Sequence, residues 1–401
     1  MSKVPKLRFK EFSGGWELKK LSQLLEFKNG INASKEQYGS GFKFINVLDI
    51  LNNDFITHDL IIGSVDVDES VFEKYSVNYG DILFQRSSET REEVGTACVY
   101  LDSKPATFGG FVIRGKKIGE YDPMFLNKLL KTDLSRNEIT SKSGGSTRYN
   151  VGQETLSSVA LPFPSLPEQQ KIASFLSAVD EKLQQLTRKK EFLEQYKKGV
   201  MQQLFSGKLR FEDENGKPYA KWEEKRLGDI GKIRMCKRVF NNETSQTGDV
   251  PFYKIGTFGK EADAYITLDH YLSFKEKYPF PKVGEILISA AGTLGRTVIY
   301  DGRPAYFQDS NIVWIENDEK LVTNSFLYFV YQIVKYDSEG GTIQRLYNNI
   351  ISSAKFSKPS IEEQQKIASF LTALDAKIES VATQIAHTQT FKKGLLQQMF
   401  V

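Results

Sequence analysis

Apolar positions along the chain follow two regimes. In the first, Ile172, Leu176, Val179, Leu183, Leu186, Leu193, Val200 and Leu204 recur in heptad phase, with a gap at Lys190. A second run, Ile367, Leu371, Leu374, Ile378, Val381, Ile385, Leu395 and Met399, keeps the same phase. The first begins just after Pro167 and stops at Ser206-Gly207, the punctuation of one uninterrupted helix. About 38 residues at 1.5 Å each predict helices of roughly 57 Å. Helices of equal length and phase are expected to pair through these seams. Because the second starts near where the first ends, with a globular region between, the pair is expected to run antiparallel.

The other regime is strand-like. Short stretches rich in β-branched and aromatic residues, bounded by Gly, Asn or Asp, predict strands at Lys43 to Val47, Asp81 to Gln85, Ala97 to Leu101 and Phe111 to Arg114. Phe252 to Ile255, Glu285 to Ser289, Thr297 to Tyr300 and Ile312 to Ile315 read likewise, with helices at Pro123 to Thr132 and Ser325 to Lys335. The expected class is α+β: two mixed α/β domains joined by two long antiparallel coiled-coil helices.

The chain also repeats itself. The nonamer Glu168 to Leu176 recurs letter for letter at Glu363 to Leu371, 195 positions on. The same offset joins Asp180 to Asp375 and Lys197-Lys198-Gly199 to Lys392-Lys393-Gly394. A weaker echo opens each half: Lys6-Leu7-Arg8-Phe9 with Trp16-Glu17, then Lys208-Leu209-Arg210-Phe211 with Trp222-Glu223. The ends of the repeat agree and the middles diverge, as after duplication. A pseudo-two-fold internal repeat follows, with boundaries at 1–163 and 208–358 for the domains and 164–207 and 359–401 for the helices.

Composition narrows the function. With 40% hydrophobic residues, 28 Phe and 18 Tyr, the chain is no disordered segment, and 401 residues call for more than one core. The 54 Lys+Arg against 50 Asp+Glu leave +4, so a nucleic-acid role needs local basic patches. Cys98 and Cys236, far apart, give neither a disulfide framework nor a multi-cysteine zinc site, which points to a reducing cytoplasm. No stretch has the roughly 18 apolar residues of a membrane span.

No catalytic or metal constellation emerges. His58, His270 and His387 form no metal-ligand spacing. Gly110 to Lys117 imitates a phosphate loop but has no Ser or Thr after its lysine and an apolar strand in the middle. No Pro-Pro dipeptide exists to support base amino-methylation. Gly80-Asp81-Ile82-Leu83 and Gly284-Glu285-Ile286-Leu287 read as turns into core strands.

What remains is a set of polar and basic residues expected at strand ends or in loops of the divergent middles. In the first half these are Lys28, Asn29, Lys43, Asn46, Arg86, Ser87, Ser88, Arg91, Thr147 and Arg148. In the second they are Arg234, Lys237, Arg238, Lys254, Arg296, Gln344 and Arg345. Such side chains read base edges and hold phosphates, and Arg148 and Arg345 are the first candidates for base reading.

The segment Pro164 to Leu176, repeated as Pro359 to Leu371 ahead of each long helix, resembles the specificity (S) subunits of type I restriction-modification systems. The resemblance covers essentially the whole chain, including the Trp-Glu domain starts and the Lys-Lys-Gly-x-x-Gln-Gln helix ends. It implies a non-catalytic reader of double-stranded DNA with two target-recognition domains, each taking half of a split, asymmetric target, and the helices setting the spacing. It also implies assembly with two methyltransferase (M) subunits and with restriction (R) subunits. Adenosylmethionine, ATP and Mg are then expected on those partners and no cofactor on this chain. The alternative is a coiled-coil scaffold with two binding domains and no nucleic-acid role.

Overall fold

The computed structural model describes residues 4–145, 148–336 and 345–400. It divides into two compact units: unit 1 holds residues 1–188 and 382–401, and unit 2 holds 189–381. Each unit therefore takes one part of each long helix. The first helix spans Leu166–Phe205, beginning one residue before Pro167, and the second spans Ile361–Met399.

In unit 1 the start of the first helix packs against the end of the second: Ile172 and Leu176 share one core with Leu395, Met399 and Phe400. In unit 2 the ends exchange roles, and Val200 and Leu204 share a core with Ile367, Leu371 and Leu374. The packing is antiparallel in both. The remaining seam positions, Val179, Leu183, Leu186, Leu193, Ile378, Val381 and Ile385, are all buried or half-buried. Ion pairs flank each seam. Lys128 and Lys392 approach Asp180 at 2.5 and 2.7 Å in unit 1, and Lys197 meets Asp375 at 2.5 Å in unit 2. Burial alone would raise the Asp180 carboxyl, but the two ammoniums outweigh it and hold it below the usual range.

The divergent middles fold alike. Unit 1 has a four-stranded antiparallel sheet in the order Leu25–Asn29, Val112–Lys117, Ile82–Gln85, Ala97–Val99. Unit 2 repeats that order with Gly231–Arg234, Ile312–Asn317, Ile286–Ser289 and Thr297–Ile299. A three-stranded sheet accompanies each, with Tyr38–Ile45 central in unit 1 and Val250–Tyr253 central in unit 2. The strand Ile82–Gln85 is buried along its whole length, as is Ile286–Ser289, and each is three apolar residues closed by a buried polar one. Gly80 and Gly284, both at φ +89°, make the turns before these strands. The carboxylate of Asp81 accepts from the backbone N–H of Asn78 and Lys117, and that of Glu285 from Lys282. These carboxylates close turns, and burial raises the pKa of both.

Candidate nucleic-acid interface

The repeated letters meet at one place in each unit. In unit 1 Arg8 grips Glu168 with two hydrogen bonds of 2.7 Å, and Trp16 Nε1 donates to the same carboxylate at 3.4 Å. In unit 2 Arg210 holds Glu363 at 3.1 and 2.7 Å, and Trp222 Nε1 donates to it at 2.8 Å. Both carboxylates are fully buried, so each needs its guanidinium. The hydrogen bonds that each arginine donates to its glutamate raise the pKa of the arginine. The next residue works on the backbone. Gln169 accepts from Asp122 N–H and donates to the carbonyl of Pro164; Gln364 accepts from Thr323 N–H and donates to Leu321 and Pro359. These four side chains tie the first turn of a long helix to a domain, and their chemistry is not evident from repetition alone.

The candidate residues in unit 1 are more engaged than loop residues need be. Lys28 donates to Lys74 O at 3.0 Å and lies 4.6 Å from the Tyr75 ring. Burial lowers its pKa, assisted by Arg114 and Lys74. Asn29 ends its strand, paired with Ile113. Lys43 is interior to Tyr38–Ile45, not at a strand end as expected, and donates to Ile61 O at 2.5 Å. Asn46 caps a short helix by accepting from Leu48 N–H at 2.9 Å.

Ser87 and Ser88 form a short strand paired with Tyr149–Asn150, so Ser88 is a buried ladder residue and not a loop residue. Ser87 Oγ donates to Asn150 at 2.6 Å and Ser88 Oγ to Glu93 at 3.0 Å. Arg86 donates to Gly110 O at 3.3 Å and Arg91 to Thr140 O at 3.2 Å. Arg148 is exposed, next to the same ladder. Arg86, Ser87, Ser88 and Arg148 thus gather around one strand pair. Asn46 lines a cleft of about 530 Å³ together with Tyr38, Ile62, Gly110 and Phe111, so this cleft adjoins the carbonyl that Arg86 holds. Thr147 lies outside the described residues, as does Gln344.

In unit 2 several candidates face acids. Arg234 pairs with Glu316 at 2.9 Å, Arg238 with Asp309 at 2.8 Å and Lys254 with Asp263 at 2.8 Å. Lys237 stands 5.2 Å from the Tyr278 ring. Arg296 donates to Phe258 O at 2.8 Å and Arg345 to Ser310 O at 3.2 Å. Three residues that the sequence did not offer as site candidates stand beside these side chains. Asn150 and the exposed Phe111 adjoin the Arg86 cluster, and in unit 2 Ser310 has the uncommon φ of +53°. Phe111 is expected only as the start of a strand, and its signal as a surface residue is an aromatic directly after Gly109-Gly110. Nothing local in the sequence marks the other two.

Among the described residues no group of His, Cys, Asp and Glu could hold a metal ion, and no helix is long and apolar enough to cross a membrane. Two copies of one mixed topology, each latched to the first turn of a long helix and each presenting different polar side chains, define a duplicated recognition protein. The type I restriction modification DNA specificity domain matches residues 13–195 and 219–387. The chain belongs to that family, whose members are the non-catalytic specificity subunits.

Over 156 residues it is 56% identical to a Haemophilus influenzae protein described as a candidate specificity subunit, S.HindORF215P; that match spans 39% of this chain and 40% of the relative. It is 25% identical to the MjaIX specificity subunit of Methanocaldococcus jannaschii over 414 residues, covering 96% of this chain and 92% of that one. The fold is that of a type I S subunit from M. genitalium, with a TM-score of 0.59, 18% identity and 99% of both chains covered.

Proposed function

We propose that this chain reads a bipartite, asymmetric DNA target, one half-site per unit, and brings methyltransferase and restriction subunits to it. The observation that carries the reading is that two units with one strand order present unlike side chains at corresponding loops. A shared frame with different contacts is what two unlike half-sites require. The spacing between half-sites is assigned to the long helices. Adenosylmethionine, ATP and Mg belong to the partner subunits, and the complex works in the cytoplasm.

The test is made on the chain assembled with methyltransferase subunits. Exchanging residues 222–355 for the matching region of a relative should change one half of the methylated sequence completely and leave the other half and the spacing as they were. Simultaneous change of both halves would show that the units do not read independently. Methylation by the isolated chain would refute the division of labour.

A further inference from the structure

The backbone ladders align the two units around one loop, residue for residue. In unit 1, Arg86 N–H donates to Phe111 O at 2.9 Å and Val151 N–H donates to Arg86 O at 3.0 Å. In unit 2, Ala290 N–H donates to Asn311 O at 2.7 Å and Leu346 N–H donates to Ala290 O at 2.8 Å. Arg86 therefore corresponds to Ala290 and Phe111 to Asn311. One residue back, Gly110 corresponds to Ser310 and Asn150 to Arg345, in agreement with the pairings of Ser87 with Asn150 and Ala291 with Arg345.

The arginines thus stand at non-corresponding positions, on opposite members of the same strand pair. Their guanidiniums nevertheless reach corresponding atoms: Arg86 Nη1 donates to Gly110 O at 3.3 Å, and Arg345 Nη2 donates to Ser310 O at 3.2 Å. A guanidinium thus stands at one place in the fold in both units, although it comes from different strands.

We propose that Arg86 and Arg345 are equivalent phosphate-holding arginines, one for each DNA half-site. This rests on the DNA-reading function above. A group kept at the same place in two readers of unlike sequences serves what those sequences share, which is the phosphate backbone. A carbonyl partner orients the guanidinium without cancelling its charge, and one such bond leaves most of its five donors for an anion. What differs is the neighbour. Phe111 is 68% exposed, while its counterpart is the amide Asn311. An amide can pair with the edge of adenine, whereas a phenyl ring offers only apolar contact, so the side chain beside each arginine is suited to differ with the half-site. Arg345 is thereby assigned to phosphate rather than to a base edge.

The experiment is a salt titration of the assembled complex on cognate and scrambled duplexes. Arg86→Gln and Arg345→Gln should each weaken both duplexes about tenfold at low salt and lower the log–log salt slope by about 0.9, with the methylated motif unchanged. In unit 1 the double variant Arg86→Ala/Asn150→Arg copies the arrangement of unit 2 and should recover the slope that Arg86→Ala loses. If a glutamine variant fails to fold, Arg→Lys at the same position keeps the charge and must keep the slope. Altered preference at one base of the motif, or slopes equal to wild type in both glutamine variants, overturns the assignment. A wild-type complex without sequence selectivity would instead overturn the DNA-reading function itself.

Discussion

Units 1 and 2 hold their basic side chains differently although they share a topology. In unit 1 the candidate cations Lys28, Lys43, Arg86 and Arg91 all donate to backbone carbonyls. Of the described candidates in unit 2, Arg234, Arg238 and Lys254 are each paired with a carboxylate, Lys237 lies by the Tyr278 ring, and Arg296 and Arg345 are bonded to carbonyls. A carbonyl fixes a cation and leaves its charge in play, whereas a carboxylate fixes it and neutralises it. One frame can therefore carry a strongly phosphate-attracting face in one copy and a muted one in the other. The Arg–Trp–Glu latch does not follow this divergence. In both units the arginine grips its glutamate through Nε and Nη2, and the tryptophan donates to the same carboxylate.

That contrast is open to three experiments. The largest effect should come from the part the units share. Glu168→Ala leaves Arg8 and Trp16 without their partner, and Glu363→Ala does the same to Arg210 and Trp222. Each should cost about 3 kcal/mol, read as lost amide-exchange protection within its own unit. A large loss in one unit and a negligible one in the other would break the equivalence of the latches.

A smaller effect should separate the faces. Glu316→Gln, Asp309→Asn and Asp263→Asn each free a cation in unit 2, so each should steepen the salt dependence of DNA binding by up to about 0.9 in log–log slope. Lys43→Gln in unit 1 should make it shallower. If neutralising the acids changes nothing, those cations already leave them for DNA, and the electrostatic contrast exists only in the free protein.

The smallest effect concerns Asp180. Its pKa is lower in the folded chain than in the unfolded one, so its ion pairs stabilise unit 1 above the unfolded value of about 4. That contribution, about 1 kcal/mol for a partly exposed group, disappears as pH falls through the depressed folded value. Acid unfolding of Asp180→Asn should lack this component, and an unchanged acid profile would show that Lys128 and Lys392 add nothing net.

The sequence revealed what depends on period and repetition. Every seam residue from Ile172 to Met399 lies in or beside a buried stripe, because heptad spacing alone decides which face of a helix is covered. Most core strands were legible because they are short apolar runs. The ribbon pairing Glu17–Lys20 with Ala160–Phe163 was not, since Glu-Leu-Lys-Lys has a polar look and its partner lies far along the chain. The same is true of Glu223–Arg226 with Lys355–Lys358. For the candidate site, residue type showed which side chains can hold DNA but not what each already holds. Arg234 and Arg86 look alike in sequence, and only the fold places a carboxylate before one and a carbonyl before the other.

The paired letters Glu168-Gln169 and Glu363-Gln364 carry information in their order. A carboxylate only accepts, and it faces a guanidinium that only donates. The amide beside it both accepts an N–H and donates to a carbonyl. Transposing the two letters would preserve composition, helix propensity and net charge, yet set a carboxylate against the oxygen of Pro164 and leave Arg8 facing a neutral amide. The dipeptide thus works as a polarised plug: its two prongs differ by one atom, and it seats in only one sense.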